Sequence, residues 1–572
     1  MLRSRKMLVV LAVGMVAASL LAAPAQAAPP KQPSRVMIIV LDQARPDTIT
    51  RYGMKNVQKL QHRGKNFPNA LVGHMAAETV ISHNVLTSGR FPKRMGWTNE
   101  VYRDTNNVLL GGPNTFYVTS SMSCSQFGSL INAGGYKKLQ DYLDDGFGPG
   151  SSFASIAQKR TAACTSGQTS SAADGTPRDA EDIIFQIRGS GSSSCDGRSG
   201  WRQPEYLGPA GFFDLSLCSR WSTWQQAGAY GTGAMSPANI YPLEGNRFVP
   251  GFDPAHIGGD NWSADAAIRV IDNDPNWRGM MVSLGAIDKM GHMWGPEDDV
   301  TGPPGSDEQV SHLPFAAKNA DAQVGRIVRA LKRRGLRDDT LIVITADHAA
   351  QTGTPGSTFF GELNPVVGPT CGGIRSDCNW YFGTENAVGE SENYREPSPA
   401  VGQLVTRLGG NLAFSYQDGH VAAWLTDNSL VKKQQAADAV LDMPGVIASY
   451  HLNAAQNDYV EFGTNPMSTS ERSWFNRHGE ELVDTMAASN GADAVGLVQT
   501  DVTYGVVGDH GGHNRLIQNI PMIFSGPGVN PKDSPLELRH VDVLPTILES
   551  MGIQYNGASV DGEAIDLSKA KP

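Results

Sequence analysis

Three short apolar runs, each closing within a few residues of an aspartate, limit the folds open to this chain more than any other feature. Val36–Leu41 runs into Asp42, Met280–Leu284 stands just before Asp288, and Leu341–Thr345 leads to Asp347. Short, uninterrupted runs rich in Val, Ile and Met suit strands covered on both faces, as in a parallel sheet. In open α/β sheets, ligands bind beyond the carboxyl ends of the strands. The three acids fall where such a site would lie. Between the runs, Val324, Ile327, Val328 and Leu331 follow helical spacing. Lys332, Arg333 and Arg334 then suit the negative end of the helix dipole, and Gly335 suits its stop. Helix followed by strand predicts an α/β fold with a mostly parallel central sheet flanked by helices.

With 572 residues, the chain has a length prior of about four domains, although large α/β cores often run as one unit with insertions. Two stretches interrupt the core pattern. Residues 105–255 are rich in Ser, Gly and Cys and read as a disulfide-containing insertion over one end of the sheet. Residues 355–495 hold a second insertion with a small α+β cap. There Leu412–Tyr416 and Val421–Leu425 flank Asp418-Gly419, a hairpin signal. Lys432–Leu441 looks helical and Val446–Tyr450 looks like a strand. The core would then comprise 28–104, 256–354 and 496–572, with the sheet pattern resuming near Gly496–Val498.

Residues 1–27 read as a signal peptide. Arg3, Arg5 and Lys6 precede an apolar run from Met7 to Ala22, and Ala25-Gln26-Ala27 supplies a small-residue cleavage site. The run is short for a membrane span, and no later stretch is long and apolar enough to be one. A secreted or envelope location follows as the expectation. Net charge is −10, and −13 without residues 1–27, so the chain lacks the basic footprint of a nucleic-acid or anionic-lipid binder. Six cysteines, an even number, suggest disulfides in an exported chain. Cys371 and Cys378 are close enough to pair. Cys124, Cys164, Cys195 and Cys218 could pair in three ways. No C-x-x-C pair is present, so a cysteine-held zinc is not indicated.

Taken singly, the polar candidates are ambiguous. Asp288-Lys289-Met290-Gly291-His292 sets a carboxylate and an imidazole four apart, within reach of one cation on a loop or first helical turn. Asp347 and His348 are adjacent and can share a metal only if the chain turns after the strand. Asp509-His510-Gly511-Gly512-His513 is rich in His and Gly. Asp42 alone could close a strand in an Asx turn. Together they can assemble a mixed nitrogen and oxygen site of the kind zinc favours. Two metals on one face suit in-line displacement at phosphorus.

With these residues in view, the sequence resembles the alkaline phosphatase superfamily, and within it the type I phosphodiesterase / nucleotide pyrophosphatase branch. The stretches that carry the resemblance are Ile39–Asp42, Thr79-Val80-Ile81-Ser82-His83, Asp288–His292 with Gly295-Pro296, Thr345–His348 and Gly508–Gly511. Ile520–Gly528 and Asp542–Leu548 look like the family's C-terminal core. The matches run in the family's order from residue 36 to about 552; the two insertions have no clear counterpart.

The resemblance implies an alkaline-phosphatase-like three-layer core and two zinc ions. Asp42, Asp347, His348 and Thr79 would hold one; Asp288, His292 and His510 would hold the other. Thr79 would be the nucleophile, forming a phosphothreonine that water then hydrolyses. Read without the family, Thr79 suits a helix N-cap. Thr79 in place of a Cys or Ser in a C/S-x-P-x-R setting argues against a sulfatase. Asn99, in Gly96-Trp97-Thr98-Asn99, matches a position that donates to a phosphoryl oxygen, although a turn Asn is common there. The family often has Pro where Ile81 stands and Asn where Ser82 stands. His513 rivals His510 as ligand, His83 fits a core or supporting role, and Asp47 a structural one.

The expected function is an exported dizinc phosphoric-ester hydrolase on a small-molecule or headgroup phosphoester. A diester is favoured over a monoester, because no cation beside the non-bridging oxygens is evident. Lys159, Arg160 or Arg202 of the insertion could supply one. The alternatives are an alkaline-phosphatase-type monoesterase and an inactive binding protein.

Overall fold

The computed structural model describes residues 31–119, 122–157, 159–169, 182–186, 254–288, 291, 296, 312–352, 404, 406–502 and 508–569. Eight strands form the central sheet. In spatial order they are Lys532–Asp533, Lys65–Asn66, Met522–Ser525, Thr340–Thr345, Arg35–Leu41, Trp277–Leu284, Ser152–Ala157 and Ile183–Gln186. The last five run parallel, and Met522–Ser525 is antiparallel to Thr340–Thr345. Arg35–Leu41 sits between the other two aspartate-bearing strands, with Val40 opposite both Ser283 and Thr345. Val36 to Leu41 are wholly buried, which explains an apolar run without alternation. The mostly parallel α/β sheet read from the sequence is therefore present.

Helices pack around it. Val324, Ile327 and Leu331 of His312–Arg333 are buried in the core, as their spacing predicts. Thr79–Ser88 is buried along its whole length, packed between Arg160–Gly167 and His540–Met551.

The structure differs from the sequence reading at both insertions. Residues 105–255 do not merely lie over the sheet, because Ser152–Ala157 and Ile183–Gln186 extend it by two strands. Their sequences, Ser-Phe-Ala-Ser-Ile-Ala and Ile-Ile-Phe-Gln, are too short and mixed to stand out as strands. The cap is a five-stranded antiparallel sheet with the helices Leu430–Leu441 and Thr469–Asp484. Leu412–Gln417 and His420–Leu425 form the expected hairpin across Asp418-Gly419. Ala494–Val498 pairs with His420–Leu425 and Val446–Asn453 and so completes the cap; the central sheet resumes only at Met522–Ser525. An apolar strand carries no local mark of which sheet it joins.

Of the cysteine pairings left open, Cys124–Cys164 is formed, with the Cα atoms 5.0 Å apart and the two residues 40 positions apart in sequence. Cys195, Cys218, Cys371, Cys378 and residues 1–27 lie outside the described residues. No described helix is long and apolar enough to cross a membrane. The disulfide ties Cys124–Gly134 to Arg160–Gly167, the helix packed against Thr79–Ser88. Replacing both cysteines by serine is expected to lower stability by about 2–4 kcal/mol, the usual range for a native bridge. The denaturant midpoint, read at unchanged slope, measures it.

Candidate active site

The three aspartates meet beyond the carboxyl ends of three neighbouring strands. Asp42 follows Arg35–Leu41, Asp347 follows Thr340–Thr345, and Asp288 stands on the short turn after Trp277–Leu284. All three are fully buried. Backbone N–H groups hold Asp347, whose Oδ1 accepts from Gln43 at 3.3 Å and from His348 at 3.1 Å. The chain leaves the strand at Ala346, and the turn brings His348 back beside Asp347. His348 Nε2 lies 3.5 Å from Asp42 Oδ1 and 3.3 Å from Thr79 Oγ1.

Ligand atoms of Asp42, Asp347 and His348 all lie within 4.8 Å of one another. The same holds for Asp288, His348 and His510. The rings of His348 and His510 are 3.8 Å apart between centroids, so one imidazole pair joins the two groups. His292 lies outside the described residues. His510 rather than His513 stands among the carboxylates. His513 is buried, and burial pulls its pKa down to about 4.

Thr79 is the first residue of its helix; Glu78 occupies the N-cap. The Thr79 hydroxyl therefore sits in the first turn, where the helix dipole favours an anion. His83, one turn on, places Nδ1 2.8 Å from the Thr79 carbonyl and 3.5 Å from Asp347 Oδ2. It braces both residues, in keeping with a supporting role. Asp47 pairs with Arg45 and Arg51 near the surface, as a structural residue would.

Lys159 enters the site from the 105–255 segment. It follows the strand Ser152–Ala157 and caps the helix Arg160–Gly167. Its Nζ lies 3.1 Å from Thr79 Oγ1, 3.0 Å from Asp42 Oδ2 and 2.6 Å from Asp288 Oδ2. Burial alone would lower its pKa, but Asp288, Asp42 and Asp347 outweigh burial and hold it above the ordinary lysine value. Burial, then Asp288 and Asp347, push the Asp42 carboxyl well above its ordinary range, with Lys159 opposing. Three buried carboxylates against one ammonium leave excess negative charge. With two imidazoles beside them, they make an oxygen and nitrogen donor set that fits divalent metal ions, zinc included.

Asn99 is buried and faces His420, a residue the sequence reading did not single out. His420 Nδ1 is 2.6 Å from the Gly511 carbonyl, and its Nε2 is 2.9 Å from Asn99 Nδ2. Burial lowers the His420 pKa to about 4. A neutral ring that donates from Nδ1 and accepts at Nε2 satisfies both contacts. One amide proton of Asn99 is thus used within the scaffold.

This fold, with carboxylates and imidazoles gathered at its strand ends, is similar to that of solved alkaline phosphatase and nucleotide pyrophosphatase structures. Residues 249–368 match the family described as type I phosphodiesterase / nucleotide pyrophosphatase. A four-site mutant of alkaline phosphatase PafA superposes with a TM-score of 0.59 at 13% identity, covering 94% of this chain and 98% of that one. Inactive murine ectonucleotide pyrophosphatase / phosphodiesterase 5, in complex with AMP, gives a TM-score of 0.52 at 10% identity over 94% and 99% of the two chains. In sequence, alkaline phosphatase PhoD of Zymomonas mobilis subsp. mobilis is 22% identical over 331 residues, 54% of this chain. This chain spans about half the length of that relative (49%).

Asp260 supports the site from Pro254–Asn273. Its Oδ1 accepts the Ala286 N–H at 3.1 Å and so holds the turn that carries Asp288. Burial pushes its carboxyl up to about 8, against the pull of the Ala286 and Gly285 N–H groups. A pKa raised on folding means that the unfolded chain releases this proton first. The stability contribution is full below the unfolded value near 3.9 and is lost as pH rises through about 8. Asp260→Asn keeps the acceptor and removes the titration. It should match the wild type near pH 4 and exceed it by about 5 kcal/mol above pH 8, read from denaturation curves at both pH values.

Proposed function

We propose that this chain is an exported, metal-dependent phosphoric-ester hydrolase in which Thr79 is the nucleophile. The observation that carries the reading is the convergence of Thr79, Lys159, His348 and three buried aspartates on one point. Asp42, Asp347 and His348 would hold one zinc ion beside Thr79; Asp288 and His510, with His292, would hold the second. Bound there, the ions would lower the pKa of the threonine hydroxyl and of water and offset charge on the phosphoryl oxygens.

The chain's own residues do the rest. The first turn of Thr79–Ser88 and its dipole receive the phosphoryl group. Thr79 Oγ1 attacks in line, the Oγ1–P bond forms and the ester P–O bond breaks. The leaving alcohol takes up a proton. Water then breaks the Oγ1–P bond, releases phosphate and restores the hydroxyl. His83 and Asp347 hold the Thr79 turn in place throughout.

Lys159 supports a phosphomonoester as the substrate class. A monoester carries one more ionised oxygen than a diester, and an ammonium within hydrogen-bond reach of the nucleophile suits that added charge. The sequence reading favoured a diester for want of such a cation. With Lys159 at 3.1 Å from Thr79, the proposal turns to a phosphomonoester. The diester is kept as the second reading, because residues 249–368 match the phosphodiesterase family.

The test compares an aryl phosphate monoester with the matching diester on the zinc-loaded protein. Thr79→Ala should abolish turnover of both. Lys159→Ala should lower kcat/KM for the monoester by about a hundredfold or more, while the diester changes about tenfold or less. Faster cleavage of the diester by the wild type, with Lys159→Ala neutral, would restore the diesterase reading. Activity that survives Thr79→Ala would sink the mechanism.

A further inference from the structure

A second acidic group lies on the far side of His510 from the proposed reaction. Asp418 sits at the tip of the cap hairpin, Asp509 directly precedes His510, and Glu78 directly precedes Thr79. Asp418, Asp509 and His510 offer ligand atoms that all lie within 4.8 Å of one another. His510 has its two nitrogens on opposite groups. Nε2 is 3.9 Å from Asp288 Oδ1, and Nδ1 is 3.5 Å from Asp418 Oδ2.

Glycine makes the convergence possible. The hairpin tip docks on the His510 loop, where Gly419 N–H donates to the His510 carbonyl at 2.6 Å. Gly511 adopts φ +76°, and a Cβ there would stand 2.9 Å from Glu78 Oε1 and 3.1 Å from Asp418 Oδ2. Two carboxylates from distant segments therefore close on one point.

Their oxygens crowd together with few donors to offset their charge. Glu78 Oε2 accepts the Glu100 N–H at 3.2 Å, and Asp418 Oδ2 accepts from Tyr416 Oη at 3.4 Å. Glu78 Oε1 is buried without a hydrogen-bond partner among the described residues, on a side chain that is 0% exposed, and the buried Asp418 carboxyl stands within hydrogen-bond reach of Asp509. Glu100 adds a further negative charge beside Glu78. An isolated buried carboxylate is costly, and a cluster of them more so, unless a cation or protons offset the charge.

We propose that Glu78, Asp418 and Asp509 bind a further divalent cation, of the oxygen-seeking kind represented by Mg2+ and Ca2+, behind His510. Carboxylate oxygens are the donors such ions take, whereas imidazole nitrogen is not. His510 then keeps Nδ1 for Asp418 and Nε2 for the neighbouring site, so the cation would fix the ring through Asp418. This inference rests on the metal-dependent reading of the neighbouring site only for the role of His510; the cation count is separate.

The test measures metal content by mass spectrometry after equilibrium dialysis of the full chain against zinc with Mg2+ or Ca2+. The wild type is expected to hold one Mg2+ or Ca2+ per chain, and Asp418→Asn and Glu78→Gln are each expected to lose it. With zinc saturating, millimolar Mg2+ or Ca2+ should raise the wild-type melting temperature by about 2–5 °C and leave Asp418→Asn unmoved. If Asp418→Asn fails to fold, Glu78→Gln carries the comparison. No bound Mg2+ or Ca2+ in the wild type, or equal binding in the variants, overturns the proposal; the carboxylates then share protons and Asp418 merely orients His510. The zinc count from the same samples judges the proposed function independently.

Discussion

Like charge brought together out of water is the constraint on which this structure turns. Asp42, Asp288 and Asp347 are wholly buried at the ends of adjacent strands, where repulsion is strong and solvent does not screen it. Local flexibility could not hold them there. A closely packed parallel sheet can, because each strand is hydrogen-bonded on both sides and covered on both faces. Backbone N–H groups, Lys159 and two imidazoles offset part of the charge. On the remainder rests the proposal that the site takes up cations and, through them, phosphoryl oxygens.

The two segments that interrupt the core are parts of the site. The first adds two strands to the sheet edge and delivers Lys159 to Thr79, with the Cys124–Cys164 bridge fastening the helix that Lys159 caps. The second folds into its own antiparallel sheet and lowers one hairpin tip onto the His510 loop. Asp418 and His420 reach the site in that way. In the proposed reaction the core carries the phosphoryl chemistry, and the added segments bring Lys159 and Asp418 beside it.

Much of the centre was legible in the sequence. Runs of buried residues ending at Asp42, Asp288 and Asp347 mark strand ends by local pattern alone. The Asp418-Gly419 hairpin and the helix through Val324 and Leu331 are equally local. His348 and His510 were singled out beside their aspartates and Thr79 by resemblance, and the structure gathers all three around the aspartates. Lys159 appeared only as one of three cations in a segment without a clear pattern. Glu78, Asp418 and His420 gave no signal of chemistry: one precedes a helix, one sits in a turn, and one begins a strand.

The sequence by itself determined that the runs before Asp42, Asp288 and Asp347 are strands, that the segment through Val324 and Leu331 is a helix, and which acids close those strands. Those properties depend on neighbours a few residues away, through side-chain periodicity and turn chemistry. Tertiary structure alone decided which sheet Ala494–Val498 joins, which cysteine Cys124 meets and which cation faces Thr79. Those outcomes depend on contacts between residues tens to hundreds of positions apart. No local period encodes them, and they are fixed only when the packed core brings distant segments together.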